Sequence, residues 1–214
     1  MIDATFVRSA AAAADLPSDG LPEVALVGRS NVGKSSLINA LVRRRVARTS
    51  AAPGKTRLAN IYRIARNRAA PFYLVDLPGY GYARGGRRAA AEFESLAAGY
   101  FGRGRQETIA ALLLVDARHP GLESDLQAWR WLNEQVAAAA IVATKIDKLA
   151  RGERIRAASV LESAFHDSVL PVSAVTGEGL EELWKLIDNL ANNPHPPTLR
   201  RNRRPVPTDP RRLP

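Results

Sequence analysis

Eight residues constrain this chain more than any other feature. Gly28-Arg29-Ser30-Asn31-Val32-Gly33-Lys34-Ser35 follows the apolar run Val24–Val27 and opens a stretch where Leu37, Ile38, Leu41 and Val42 recur at helical spacing. Two glycines, a lysine and a hydroxyl at this spacing, between a strand and a helix, form a phosphate-binding loop. The glycines let the backbone curl so that successive N–H groups aim at phosphate oxygens. The helix brings the positive end of its dipole to the same place. Lys34 then suits the β and γ phosphates, and the Ser35 hydroxyl suits Mg²⁺. Only five of the 31 basic residues are lysine, so Lys34 departs from the chain's habit where a slim ammonium is needed.

The rest of the pattern extends that unit. Phe72–Val75, Ala111–Val115, Ala139–Ala143 and Val169–Val172 are short apolar runs without charge, as strands buried on both faces must be. Helix-period segments lie between most of them. Leu122, Leu126 and Trp129 share a face, as do Ile155, Leu161 and Phe165, and then Leu180, Leu183, Trp184, Ile187 and Leu190. The expected fold is an α/β three-layer P-loop NTPase, with a mostly parallel sheet and helices on both faces. Residues 43–70 lack a helical pattern. Ile61, Tyr62 and Ile64 alternate before Pro71, which predicts a hairpin into Phe72–Val75 and one antiparallel edge strand. A further strand is expected near Ala4–Val7. The expected organisation is an N-terminal extension (1–21), a nucleotide-binding domain (22–192) and a disordered Pro/Arg-rich tail (193–214).

The choice of nucleotide rests on three further segments. Asp76-Leu77-Pro78-Gly79 follows a strand, where Asp76 can hold Mg²⁺ through water and the Gly79 N–H can sense the γ-phosphate. Thr144-Lys145-Ile146-Asp147 follows another. An Asp there can accept hydrogen bonds from N1–H and the 2-amino group of guanine, a donor pair that adenine lacks. Val172-Ser173-Ala174 ends the last strand, where backbone N–H groups can meet guanine O6. Together these favour GTP over ATP.

The net charge is +10 and the pI about 10.6, which points to a polyanionic partner. Arg43, Arg44, Arg45, Arg48 and Arg57 flank one predicted switch, and Arg84, Arg87 and Arg88 follow Gly79. A solvated basic face is the plainer explanation of the same residues. There are no cysteines, which excludes disulfide scaffolds and thiolate metal sites. The N-terminus has no basic n-region, and no apolar run is long enough for a membrane span, so a cytoplasmic protein is expected.

GLPEVALVGRSNVGKSSLINALV (Gly20–Val42), TSAAPGKTRLAN, DLPGYGYA, TKID and the N-terminal FVRSA together resemble the EngB family of ribosome-biogenesis GTP-binding proteins. These belong to the TrmE-Era-EngA-EngB-septin-like superfamily with a Ras-like G domain. The resemblance implies that Thr56 is the switch threonine for Mg²⁺ and the γ-phosphate, a choice over Thr49 that spacing alone does not make. It implies that Gly54, Lys55, Arg57 and Leu58 lie along the nucleotide, and that Thr144 replaces the Asn of most GTPases. Lys34, Thr56 and Gly79 are then the expected catalytic positions. It also implies GTP/GDP as ligand, the large ribosomal subunit precursor and its rRNA as partner, and a role in normal cell division and septation. A monomer without a fused domain or membrane anchor is expected.

Tyr80 stands where many GTPases have a water-orienting Gln, which predicts slow intrinsic hydrolysis. In related GTPases an Asn at the Asn31 position accompanies activation by K⁺; an Asn suited to a tight turn explains it equally. An alternative function is a GTP-regulated RNA-binding protein whose hydrolysis is incidental and whose tail, Pro194–Pro214, makes the contact.

Overall fold

The computed structural model describes residues 2–48, 58–66, 70–80, 95–102 and 109–192. Its centre is a seven-stranded sheet. In chain order the strands are β1 (Ile2–Ala10), β2 (Glu23–Gly28), β3 (Ala59–Arg66), β4 (Phe72–Asp76), β5 (Ile109–Asp116), β6 (Ala138–Thr144) and β7 (Val169–Pro171). Their order across the sheet is β1-β3-β4-β2-β5-β6-β7. Helices are α1 (Lys34–Val42), α2 (residues 95–101), α3 (Glu123–Gln135), α4 (Arg151–Phe165) and α5 (Leu180–Asn192).

The central strands are parallel, and β3 runs antiparallel to both neighbours. The expected hairpin into β4 is present. The N-terminal strand is longer than the residues 4–7 expected, and it covers β3, so the reversed strand sits one place in from the edge. Alternation along β5 shows why its sequence is continuously apolar. Ile109, Ala111, Leu113 and Val115 face one core, while Ala110, Leu112 and Leu114 face the other.

The first core packs Leu96, Tyr100 and Phe101 of α2, Trp129 and Leu132 of α3, and Leu161 and Phe165 of α4. The second packs Leu37, Ile38, Leu41 and Val42 of α1 against Leu183, Trp184, Ile187 and Leu190 of α5. Each of those fully buried aliphatic side chains contributes about 1.5–3 kcal/mol relative to exposure. One expectation fails here. Helical spacing groups Ile155 with Leu161 and Phe165, but Ile155 is 65% exposed. Ala157 takes the inward position instead. A helix packed along a narrow stripe has room for one residue per turn, and the small Ala lets α4 approach closely.

Candidate functional site

Parallel strands deliver their C-terminal ends to one rim of the sheet, where open α/β sheets bind ligands. β2 ends at Gly28, β4 at Asp76, β5 at Asp116, β6 at Thr144, and Ser173 follows β7. Every motif found in the described residues therefore converges on that rim.

The loop after β2 turns through two left-handed residues, Asn31 (φ 63°) and Gly33 (φ 111°). Gly33 is the N-cap of α1 and offers no side chain to cap it. The amides of Gly33, Lys34 and Ser35 find no acceptor among the described residues. Such a row of unpartnered N–H groups at a helix start is an anion cradle. Asn tolerates the left-handed region better than most residues, so the turn explanation accounts for Asn31 from its backbone.

Lys34 is buried, and its ammonium donates to the Gly28 carbonyl at 3.0 Å and the Arg29 carbonyl at 3.4 Å. Burial lowers its pKa, and the Asp76 charge opposes that. Asp76 is also buried, and its pKa is raised by desolvation against the pull of Lys34 and the Ser35 hydroxyl. Ser35 Oγ donates to Asp76 Oδ2 at 2.8 Å, whereas Asp76 Oδ1 is buried without a hydrogen-bond partner. A hydroxyl and a buried carboxylate with an orphaned oxygen are a donor set suited to a hard cation such as Mg²⁺.

Thr144 ties β6 to the phosphate-binding loop. Its hydroxyl lies 2.7 Å from the Val32 carbonyl and 3.0 Å from the Val115 carbonyl, both as acceptors. Thr144→Val keeps the shape and removes the donor, so it should destabilise the fold by about 1–3 kcal/mol. Urea unfolding of the nucleotide-free protein measures this; an unchanged midpoint would show that the tether is idle.

Lys145 occupies the left-handed region (φ 61°). Its ammonium donates to the Asn31 carbonyl at 2.6 Å and to Asp116 Oδ2 at 2.9 Å. Asp147 Oδ1 accepts the Ser173 hydroxyl at 2.7 Å, and Ser173 Oγ in turn accepts the Val175 and Thr176 amides. Desolvation would raise the Asp147 pKa, but the bond from Ser173 and the nearby Lys148 hold it below the usual value. Asp147 is thus fixed as a carboxylate at the rim. Ser173 is fully buried, Val172 is buried and Ala174 is half-buried. Ile146 is buried beneath them.

Leu77 and Pro78 are buried, and Gly79 presses against the loop after β2. A Cβ on Gly79 would fall 2.6 Å from the Ser30 backbone, so only glycine fits. Ser30 N–H donates to the Tyr80 carbonyl at 3.1 Å. The Tyr80 hydroxyl donates to Asp125 Oδ1 at 2.8 Å. Burial, followed by the Asp125 charge, pushes its pKa well above the usual phenol range, so it stays protonated near neutral pH. Leu58 is exposed at the start of the chain leading into β3. Gly54, Lys55, Thr56 and Arg57 lie outside the described residues, as do Arg84, Arg87, Arg88 and the tail.

Two acidic residues of the site carry no motif. Asp116 is gripped by Arg118 through its amide and two guanidinium nitrogens, at 2.8–3.1 Å, and by Lys145. Desolvation opposes ionisation, but Arg118 and Lys145 prevail and lower its pKa. Its signal in sequence is a carboxylate ending an apolar strand, as at Asp76. Asp125 is 1% exposed in the first turn of α3. It falls at the phase of Leu122 and Trp129, where an apolar residue is expected.

Known proteins resemble this chain in sequence and in fold. Residues 23–145 match the family described as 50S ribosome-binding GTPase. A probable GTP-binding protein EngB of Heliobacterium modesticaldum is 45% identical over 202 residues, covering 91% of this chain and 95% of that one. Among solved structures, Era with MgGDPNP and nucleotides 1506–1542 of 16S ribosomal RNA aligns with a TM-score of 0.65 at 23% identity. That match covers 79% of this chain and 56% of the Era chain. A probable GTP-binding protein engB aligns with a TM-score of 0.63 at 22% identity, covering 79% of this chain and 98% of the other. The family match over residues 23–145 and the 45% identity across most of the chain lead to one assignment: this protein belongs to the EngB family of GTP-binding proteins.

Proposed function

We propose that this protein is a GTP-gated switch acting in assembly of the large ribosomal subunit, and through that in normal cell division and septation. The family binds and hydrolyses GTP at a general level; the partner and the timing are the added content. The observation that carries the proposal is the placement of charge. Arg43, Arg44, Arg45 and Arg48 are exposed just past the end of α1, and they precede Thr56 in the sequence. Basic groups beside a nucleotide-dependent segment suit reversible contact with rRNA phosphates. The family description names the 50S ribosome, and a structural relative carries a ribosomal RNA fragment, which supports the same class of partner.

At the site, Gly28 to Ser35 would cradle the phosphates, with Arg29, Ser30, Asn31 and Val32 supplying backbone. Asp147 would accept from guanine, the Lys145 stem would lie over the purine, and Val172, Ser173 and Ala174 would flank O6. Ser35, Asp76 and Thr56 are the residues that would hold Mg²⁺, directly or through water. When bound, the metal would neutralise charge on the β and γ phosphates. Lys34 would add a cation there, and Gly79 would donate its N–H to the γ-phosphate.

Slow intrinsic turnover is supported by Tyr80, whose hydroxyl stays protonated and is engaged as a donor to Asp125 rather than to an attacking water. Completion of the site by a partner or a cation then follows as the means of acceleration. Comparing turnover in K⁺ and Na⁺ at equal ionic strength decides the Asn31 question; equal rates leave Asn31 a turn residue only.

Cosedimentation with ribosomal subunits tests the proposal. The protein should pellet with large subunits in a non-hydrolysable GTP analogue and mostly remain in the supernatant with GDP. Binding should weaken steeply with salt. Equal pelleting with both nucleotides, or none with either, would contradict it.

A further inference from the structure

Asp125 lies outside every motif of the nucleotide site, yet its buried carboxylate meets both sides of it. Oδ1 accepts the Tyr80 hydroxyl at 2.8 Å, and the Arg29 guanidinium Nε lies 3.2 Å from the same oxygen as an ion pair. Tyr80 directly follows Gly79, and Arg29 directly precedes Ser30. The two backbones between these anchors are also joined. Arg29 and Tyr80 form an isolated parallel bridge, Ser30 N–H donates to the Tyr80 carbonyl, and Ser30 Oγ lies 3.4 Å from the Gly79 carbonyl as donor. One consequence is specific. The carbonyls of Gly79 and Tyr80 are both taken, while the Gly79 N–H has no acceptor among the described residues.

We propose that Asp125 is a positioning residue that clamps Tyr80 and Arg29 together, holding the Gly79 N–H ready for a terminal phosphate, and so favours guanosine triphosphate over diphosphate. The inference rests on the nucleotide-site reading above. A diphosphate has no group to reach Gly79, so the clamp acts on one ligand and not the other. Structural damage, by contrast, would weaken both.

The test measures dissociation constants for GDP and for a non-hydrolysable GTP analogue, each with Mg²⁺. Tyr80→Phe removes one hydroxyl and keeps the ring. Asp125→Ala removes the acceptor; Asp125→Asn restores one. Tyr80→Phe and Asp125→Ala should each weaken the analogue about tenfold, the worth of a hydrogen bond to a charged acceptor. GDP affinity should stay within about twofold. The double variant should lose little more than Asp125→Ala alone, as contacts acting through one another do. Asp125→Asn should lie nearer the wild type. An unchanged ratio of the two affinities, or one shifted toward the triphosphate, would overturn the inference. Failure of the wild-type protein to bind either nucleotide would overturn the site reading itself, and this inference with it.

Discussion

Asp147→Asn should lower affinity for GTP by about 10⁴-fold and raise affinity for xanthosine triphosphate. The carboxylate is held at both oxygens. Oδ1 accepts the Ser173 hydroxyl, and Oδ2 lies 3.6 Å from Lys148 Nζ. Its acceptor capacity toward the rim is what guanine N1–H and the 2-amino group would use. An amide there sets a donor against a donor and leaves polar groups unpaired in a desolvated contact, the situation that gives the largest discrimination. Xanthine carries an oxygen at position 2, which accepts from the new amide. The Asn side-chain oxygen can still accept from Ser173, so the fold should survive and the unfolding midpoint should stay put. Competition against a fluorescent guanine nucleotide reads both arms. A variant that keeps GTP over xanthosine triphosphate would remove Asp147 from base recognition.

Lys34→Ala should reduce GTP turnover by about 10³-fold and weaken GTP more than GDP. Each hydrogen bond to a charged phosphate is worth about 1.5–3 kcal/mol, and on the proposed role one ammonium would serve two phosphates. The side chain spends its donors on the Gly28 and Arg29 carbonyls, which hold it along the loop. Its burial means that little water stands between it and a bound phosphate, so the interaction is weakly screened. Lys34→Arg is the informative companion. A forked guanidinium is bulkier than the ammonium and would collide with the tight loop, so retained charge should not rescue turnover. Single-turnover phosphate release measures the effect; activity close to wild type in Lys34→Ala would contradict the role.

Much of this was legible before any coordinate. Apolar runs located the central strands, because strands covered on both faces read as near-continuous hydrophobic stretches, with charge only at their ends. Motif spacing located the rim, because each motif begins at, or just after, the last residue of a strand. What escaped was set by tertiary contact. Ile155 satisfied a helical period, but the phase that α4 presents to the sheet is chosen by packing, and Ala157 fills it. The reversed strand was legible from its hairpin, whereas β1 as its outer partner was only hinted at, since an edge strand exposed on most of its residues leaves a weak pattern. Asp116 and Asp125 were invisible as site residues because their roles depend on Lys145, Arg118, Tyr80 and Arg29 arriving from other elements. Tyr80 stands in the sequence where many GTPases have a Gln, but its engagement with a buried carboxylate of α3 needed the three-dimensional arrangement. Thr56 was placed by family likeness alone, and it lies outside the described residues.

Gly28–Ser35, Asp76 and Lys145–Asp147 are expected to act as one Mg²⁺-dependent guanine-nucleotide site. Displacement of a fluorescent GDP analogue from the 214-residue protein is the decisive measurement. GTP and GDP should displace the label, ATP should fail at a thousandfold higher concentration or so, and chelating Mg²⁺ should weaken GTP more than GDP. Displacement by ATP as readily as by GTP, or no binding of the label at all, would contradict the account.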